Sequence, residues 1–268
     1  MRRRIVQGPV GRLSCLYRDC DASRTPVVFV HGINGAGGQW SSVAHHIADR
    51  RVVAVDLRGH GDSAPGGSYG AVDYAADVSA VMSTLGITAA HLVGASFGAG
   101  VCVTLAATEP QRVVSLTLVG GALCLDTDAD AAVAQLHTLG ADTFFTHAAA
   151  AAFGSNADDA MRHESVRLAA RRDETVIAQV LRAALGADVS AAAARVVAPT
   201  RVLTGEHDHT CPPALGATLA AALHTECLVL PGLGHMAHLE DPARIAALLT
   251  EHIDLVESSG AAVTMRGV

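Results

Sequence analysis

Charge is scarce in this chain and aromatic residues are scarcer: 17% of its 268 residues are charged and 3% aromatic, while half are hydrophobic. That balance excludes a disordered protein. The length suits one α/β domain and can bury a sizeable core. Positive charge is in deficit, with 19 basic against 26 acidic residues and a net charge of −7. Nothing electrostatic therefore calls for nucleic acid or an anionic membrane as partner. No apolar run reaches the roughly 18 residues that a membrane span needs. The opening, "MRRRIVQGPVGRLSC", is basic but has no apolar stretch behind it, so it does not read as a secretory signal. Six cysteines, at 15, 20, 102, 124, 211 and 227, form no C-x-x-C pair and no metal-type spacing. They are expected as reduced thiols in a cytoplasmic protein. The glycine-rich "HGINGAGG" lacks G-x-x-x-x-G-K-S/T, which excludes a phosphate-binding P-loop. No internal repeat competes with a single fold.

What the chain does have is alternation. Residues 5–19 read as an antiparallel pair turning around Gly8, Pro9 and Gly11. "PVVFVHG", "RVVAVDLRGHG", "HLVGA" and "VVSLTLVGG" are continuous apolar runs, as strands buried on both faces are. Between them, Asp73 to Leu85 and Phe97 to Thr108 carry helical spacing, ended by Gly86 and by Glu109-Pro110. Residues 122–196 change character into alanine-rich helical pieces with no strand-like run. Alternation resumes with "TRVLTGEHD", a helix over 212–223, and "ECLVLPGLGH" as a last buried strand and loop. Asp241 then caps a helix with Pro242 at its first position, running to about Val256. The expected architecture is α/β: a mostly parallel sheet covered by helices on both faces. Its core is residues 1–121 and 197–256, with a helical cap over 122–196 and a flexible tail at 257–268.

One serine stands out. Gly94-Ala95-Ser96-Phe97-Gly98 fits G-x-S-x-G with a buried strand before it and a helix after it, the setting of a nucleophile elbow. The flanking glycines are needed where the chain doubles back, and the Phe97 N–H at the helix start points at whatever Ser96 attacks. The bland alternative is a core serine in a glycine-rich turn. A serine hydroxyl needs a base. Of the 14 histidines, His91 lies in a buried strand, His45 and His46 on a surface helix, and His147 and His163 in the insertion. His235 follows the last strand in "LPGLGHMAHLEDP", where Gly232 and Gly234 let a loop carry the ring over the sheet edge. With His238 it also makes an H-x-x-H pair, but a metal site needs a third ligand, and none is assigned. The acid that orients the base is Asp208, or Asp126 after the preceding strand; Glu206 reads as structural. Two oxyanion donors are needed, and the Ile33 N–H in "FVHGINGAGGQW" can face that of Phe97. His31 reads as a loop organiser.

In their order and spacing, "HGINGAGGQW", "DLRGHGDS", "GASFGA", "GEHD" and "GLGHMAHLEDP" resemble the α/β-hydrolase superfamily, from about residue 5 to residue 253. The resemblance implies Ser96 as nucleophile, Asp208 as acid, His235 as base, and Ile33 and Phe97 as oxyanion donors. It assigns no chemistry to Asp56 or Arg58, and the serine argues against branches with an aspartate nucleophile. Ala99 departs from the glycine many relatives carry there, and the cap matches no subfamily. The expected activity is hydrolysis of a small, mostly apolar ester or lactone, the only partner a small-molecule substrate, with no cofactor, no metal and no oligomeric state assigned. Two rivals stand beside it. The first is C–C cleavage or elimination by the same triad, with Arg162, Arg167, Arg171, Arg172 or Arg182 of the cap binding a substrate carboxylate. The second is a ligand receptor with little turnover.

Overall fold

The computed structural model describes residues 1–20, 23–155 and 157–265. Eight strands make one sheet: β1 (Arg2–Gln7), β2 (Arg12–Arg18), β3 (Val27–Val30), β4 (Val52–Asp56), β5 (Ala90–Ala95), β6 (Val113–Val119), β7 (Thr200–Gly205) and β8 (Cys227–Leu230). Their spatial order is β1-β2-β4-β3-β5-β6-β7-β8; β1 and β2 run antiparallel, and every pairing from β4 to β8 is parallel. The helices of the first half are α1 (Ser41–His45), α2 (Ala71–Thr84) and α3 (Phe97–Thr108). Between β6 and β7 come α4 (Ala129–Leu139), α5 (Ala141–Ala152), α6 (Asp159–Ala170), α7 (Glu174–Leu185) and α8 (Ser190–Ala193). The chain then adds α9 (Pro213–Ala222), α10 (Ala237–Glu240) and α11 (Pro242–Met265).

The continuous apolar runs are explained by cover on both faces. Because side chains alternate along a strand, Val28, Val30, Val53, Val55 and Leu92 face one cluster with Tyr74 and Val78 of α2 and Val101 and Leu105 of α3. Their neighbours Val27, Phe29, Val52, Ala54 and Val93 face a second cluster with Trp40, Val43 of α1, and Ile245, Leu249 and Ile253 of α11. The insertion helices close a third, smaller cluster around Leu136, Phe145, Ile177 and Leu181.

Two expectations need correction. β8 is the last strand of the sheet, not one buried on both faces: Leu228 is 44% exposed and Val229 40%. An apolar run records that a strand exists, not whether a neighbour covers its far side. The final helix does start at Pro242, with Asp241 Oδ1 accepting the Arg244 N–H at 3.0 Å, but it continues to Met265 instead of ending near Val256. Part of the reason is that Glu257 is tied into the body by Arg24 and Arg50. Residues 266–268 of the expected tail lie outside the described residues.

Candidate active site

The loops that follow β3, β5, β7 and β8 meet at the carboxyl edge of the parallel strands, where open α/β sheets form their ligand crevice. Ser96 sits between β5 and α3 with φ 53° and ψ −127°, one of three non-glycine residues at positive φ among the described residues. Such a conformation costs on the order of 1–3 kcal/mol and persists only where its surroundings enforce it. They do. The Ser96 N–H donates to Val119 O at 2.8 Å, and Ser96 O accepts the Ala99 N–H at 2.9 Å. A Cβ on Gly94 would lie 2.4 Å from Gly98 O, and one on Gly98 would lie 2.5 Å from His31 O. The turn is thus wedged between its own helix and the β3 loop, and only glycine fits on either side.

Asp208 and His235, the expected acid and base, meet across two loops. Asp208 is 2% exposed and His235 6%. Asp208 Oδ1 accepts the N–H groups of Thr210 at 2.9 Å and Cys211 at 2.7 Å, which leaves Oδ2 to take the His235 Nδ1–H at 2.9 Å. With Nδ1 carrying the proton, Nε2 is the basic nitrogen. Asp126 is exposed, and the carboxylate bonded to His235 is that of Asp208. Glu206 braces the same loop, accepting the Gly232 N–H at 3.0 Å. The histidine loop is also sewn to the end of α5: the His235 and Met236 amides donate to Ala152 O at 2.7 and 3.2 Å. Glu240 accepts the amides of Gly154 and Gly234, each at 3.1 Å.

The loop after β3 is organised by two buried neutral histidines. His31 accepts the Leu57 N–H on Nε2 at 3.0 Å and donates Nδ1–H to Gly32 O at 2.7 Å. His60 accepts the Asn34 N–H on Nε2 at 3.2 Å and donates Nδ1–H to Arg58 O at 3.0 Å. Burial pushes His31 down to about 4 and His60 well below the ordinary histidine range. Ile33 and Phe97 flank Ser96, and among the described residues neither amide donates to another backbone group. His238 stacks on Trp40 with ring centroids 4.4 Å apart. No group of three metal-ligating side chains gathers among the described residues.

A cavity of about 340 Å³ opens over this constellation, lined by Ser96, Ile33, Phe97, His235 and, from the insertion, Phe144, Phe145, Ala149, Val166 and Leu181. Among the described residues, no Asp, Glu, Lys or Arg lines it. Burial, then the nearby Asp208, lifts the Cys211 thiol in its wall to about 12, so it stays protonated. The five insertion arginines singled out in the sequence go elsewhere. Arg162 donates to Gly154 O and lies over the Phe153 ring, Arg167 pairs with Glu164, Arg171 reaches Asp62 and Arg182 pairs with Asp130. Arg172 turns inward and donates to Asn34 Oδ1. Asn34 and Glu240 went unseen in the sequence, and Arg172 was read there only as one of five candidates for a substrate carboxylate, because the contacts that Asn34 and Arg172 make with each other, and Glu240 with Gly154, join segments distant in the chain. The only local hint was the extra carboxylate in "HLEDP".

Residues 25–176, over half of the chain, match the alpha/beta hydrolase fold. The chain belongs to that family. Within it, the chain is 30% identical over 237 residues to a 2-succinyl-6-hydroxy-2,4-cyclohexadiene-1-carboxylate synthase of Escherichia coli O1:K1 / APEC, covering 84% of this chain and 92% of that protein. A 128-residue stretch is 42% identical to the dihydrolipoyllysine-residue acetyltransferase component of the acetoin cleaving system of Pseudomonas putida. The match spans only about a third of that protein's length. Among solved structures, a thermophilic esterase from Thermogutta terrifontis superposes with a TM-score of 0.84 at 20% identity, covering 96% of this chain and 99% of that one. The enol-lactonase of Burkholderia xenovorans LB400 gives 0.83 at 22%, covering 90% and 97%. At these identities the two structures speak for the fold alone. No helix among the described residues is long and apolar enough to cross a membrane.

Proposed function

We propose that this family member is a serine hydrolase that cleaves a small, mostly apolar, uncharged carboxylic ester or lactone through an acyl-enzyme on Ser96. Residues 1–121 and 197–256 form its catalytic core, and 122–196 form the cap that shapes the substrate site. The observation that carries this reading is the company Ser96 keeps. It shares one cavity with His235, whose Nδ1–H is held by Asp208, and no charged carboxylate or guanidinium lines that cavity among the described residues. An apolar cavity with a few convergent polar groups suits a neutral acyl substrate.

In this mechanism His235 Nε2 takes the Ser96 Oγ proton as Oγ attacks the carbonyl carbon. The Ile33 and Phe97 amides hold the resulting oxyanion, a contribution worth about 3–4 kcal/mol per donor in such sites. The tetrahedral species collapses, and the alkoxide leaves with the proton from His235. Water, deprotonated by the same nitrogen, then attacks the acyl-enzyme, releasing the acid and restoring Ser96. Asp208 fixes the tautomer and stabilises the imidazolium.

The 30%-identical relative, whose name specifies a carboxylate product, favours a second reading in which the same triad performs C–C bond chemistry or elimination. That reading calls for a cation in the cavity wall, and among the described residues no arginine lines the cavity. The test is fluorophosphonate labelling read by intact-protein mass, beside hydrolysis of p-nitrophenyl esters of two to eight carbons, on wild type and Ser96→Ala. Labelling and turnover that both vanish in the variant uphold the ester reading. Labelling without turnover of any ester moves the assignment to C–C cleavage, elimination or ligand sensing.

A further inference from the structure

Arg172 is anomalous among the insertion arginines. Its side chain is mostly buried, yet among the described residues no carboxylate lies within ion-pair distance of it. Nη2 donates to Asn34 Oδ1, Nε reaches Ala169 O at 3.4 Å, and the buried Nη1 has no acceptor among the described residues. A buried cation without a counter-ion is costly, so a role in packing alone would be better served by an apolar side chain. Burial accordingly lowers the guanidinium to about 10, and its charge helps to hold His31 and His60 neutral.

What Arg172 grips is the residue after Ile33. Asn34 stands at φ 65°, a left-handed conformation in which asparagine is enriched among non-glycine residues. Its N–H is held by His60 Nε2 and its side-chain oxygen by Arg172. The Gly32–Ile33–Asn34 segment is therefore fastened from the core on one side and from the insertion on the other. Arg172 joins α6 to α7 and does not line the cavity, whereas Ile33 and Asn34 both do. Its influence on a bound substrate passes through Asn34.

We propose that Arg172 is a positioning residue: it reaches from the insertion to Asn34, holds the Ile33 amide in line for the oxyanion, and so makes the oxyanion hole depend on docking of the insertion. The oxyanion role rests on the ester reading above. The fastening of the loop does not.

The experiment compares wild type with Arg172→Met, Arg172→Lys, Asn34→Ala and the Arg172→Met/Asn34→Ala pair, each checked for folding by circular dichroism. Two readouts are taken: p-nitrophenyl ester kinetics, and deuterium uptake by the 31–40 segment. Displacing a catalytic group by about 1 Å can cost on the order of 100-fold. The expected result for Arg172→Met is a kcat lower by roughly 10- to 100-fold with KM within about threefold. Asn34→Ala should match it, the double variant should be no worse than either single, and Lys should recover part of the loss. Uptake at 31–40 should rise in Arg172→Met and Asn34→Ala. An unchanged kcat, a loss confined to KM, or additive losses in the double variant would overturn the proposal. If wild type turns over no ester, the ester reading fails by itself, and the uptake decides the fastening: faster exchange in Arg172→Met upholds it and unchanged exchange refutes it.

Discussion

Replacing His238 by Phe should stabilise the protein, and more so in mild acid. The ring is 1% exposed and stacked on Trp40, and neither nitrogen has a protein hydrogen-bond partner among the described residues. A phenyl ring keeps the stack and removes two stranded polar atoms, worth about 1–2 kcal/mol at neutral pH. Burial, with the neighbouring His235 and His31, drives this imidazole down to about 3. In the unfolded chain it titrates near 6.5. Between those values the unfolded state binds a proton that the folded state refuses, so stability is intact above about 6.5 and drains away as pH falls. The loss is about 1.4 kcal/mol per pH unit, or about 2 kcal/mol at pH 5. His31 and His60 drain stability in the same direction but are present in both proteins, so they cancel from the comparison. Urea unfolding of wild type and His238→Phe at pH 7.5 and pH 5.0 measures the two gaps. The variant's advantage should widen by about 2 kcal/mol at the lower pH. An equal advantage at both pH values would mean that His238 is protonated in the fold, and the reasoning from burial would fail.

Asp208→Asn should leave the fold intact while kcat falls by roughly 10³- to 10⁴-fold, because an amide does not fix the His235 tautomer; steady-state ester kinetics check it. Gly98→Ala should lower stability by about 2 kcal/mol or more, since its Cβ meets backbone oxygens of His31 and Val30 at 2.5 and 2.6 Å; a melting temperature within a degree of wild type would contradict that packing. At Glu257, burial raises the carboxyl but hydrogen bonds from Arg50 and Arg24 outweigh it and hold the group at about 2. Its stabilisation is therefore present above about 4.5 and lost as pH falls towards 2. Glu257→Gln should cost about 1 kcal/mol at pH 7 after solvent screening and flatten the acid limb of a stability–pH profile.

The parts of the site that were legible in the sequence are those that local chain geometry controls. Gly94 to Gly98 encode a turn whose tightness depends on residues two positions away, and the apolar runs of β3 to β6 encode burial on both faces. The choice between Asp208 and Asp126 could only be weighed by chain order. The structure separates them by exposure and by the two amides that orient Asp208. Arg172 looked like its exposed neighbours because a charged residue between two helices ordinarily faces water. Only the three-dimensional meeting of the α6–α7 turn with the β3 loop turns it inward. Residues 257–268 read as frayed because chain termini are ordinarily poorly ordered, whereas the anchor at Glu257 comes from Arg24 and Arg50, far back in the chain.

The stitching of α5 to the histidine loop bears on how such a protein can be recombined. Ala152 O takes two amides from the loop that carries His235, and Gly154 lies so close that a Cβ there would meet Gly234 N at 2.7 Å. Residues 152–154 thus belong mechanically to the core, although the sequence assigns them to the insertion. A chimera that imports another protein's segment across boundaries at 122 and 196 would replace this seam and displace His235 with it. Crossovers that leave 152–154 in native hands, exchanging only residues 122–151 and 155–196 on either side, would alter what the cavity admits while His235 keeps its seat.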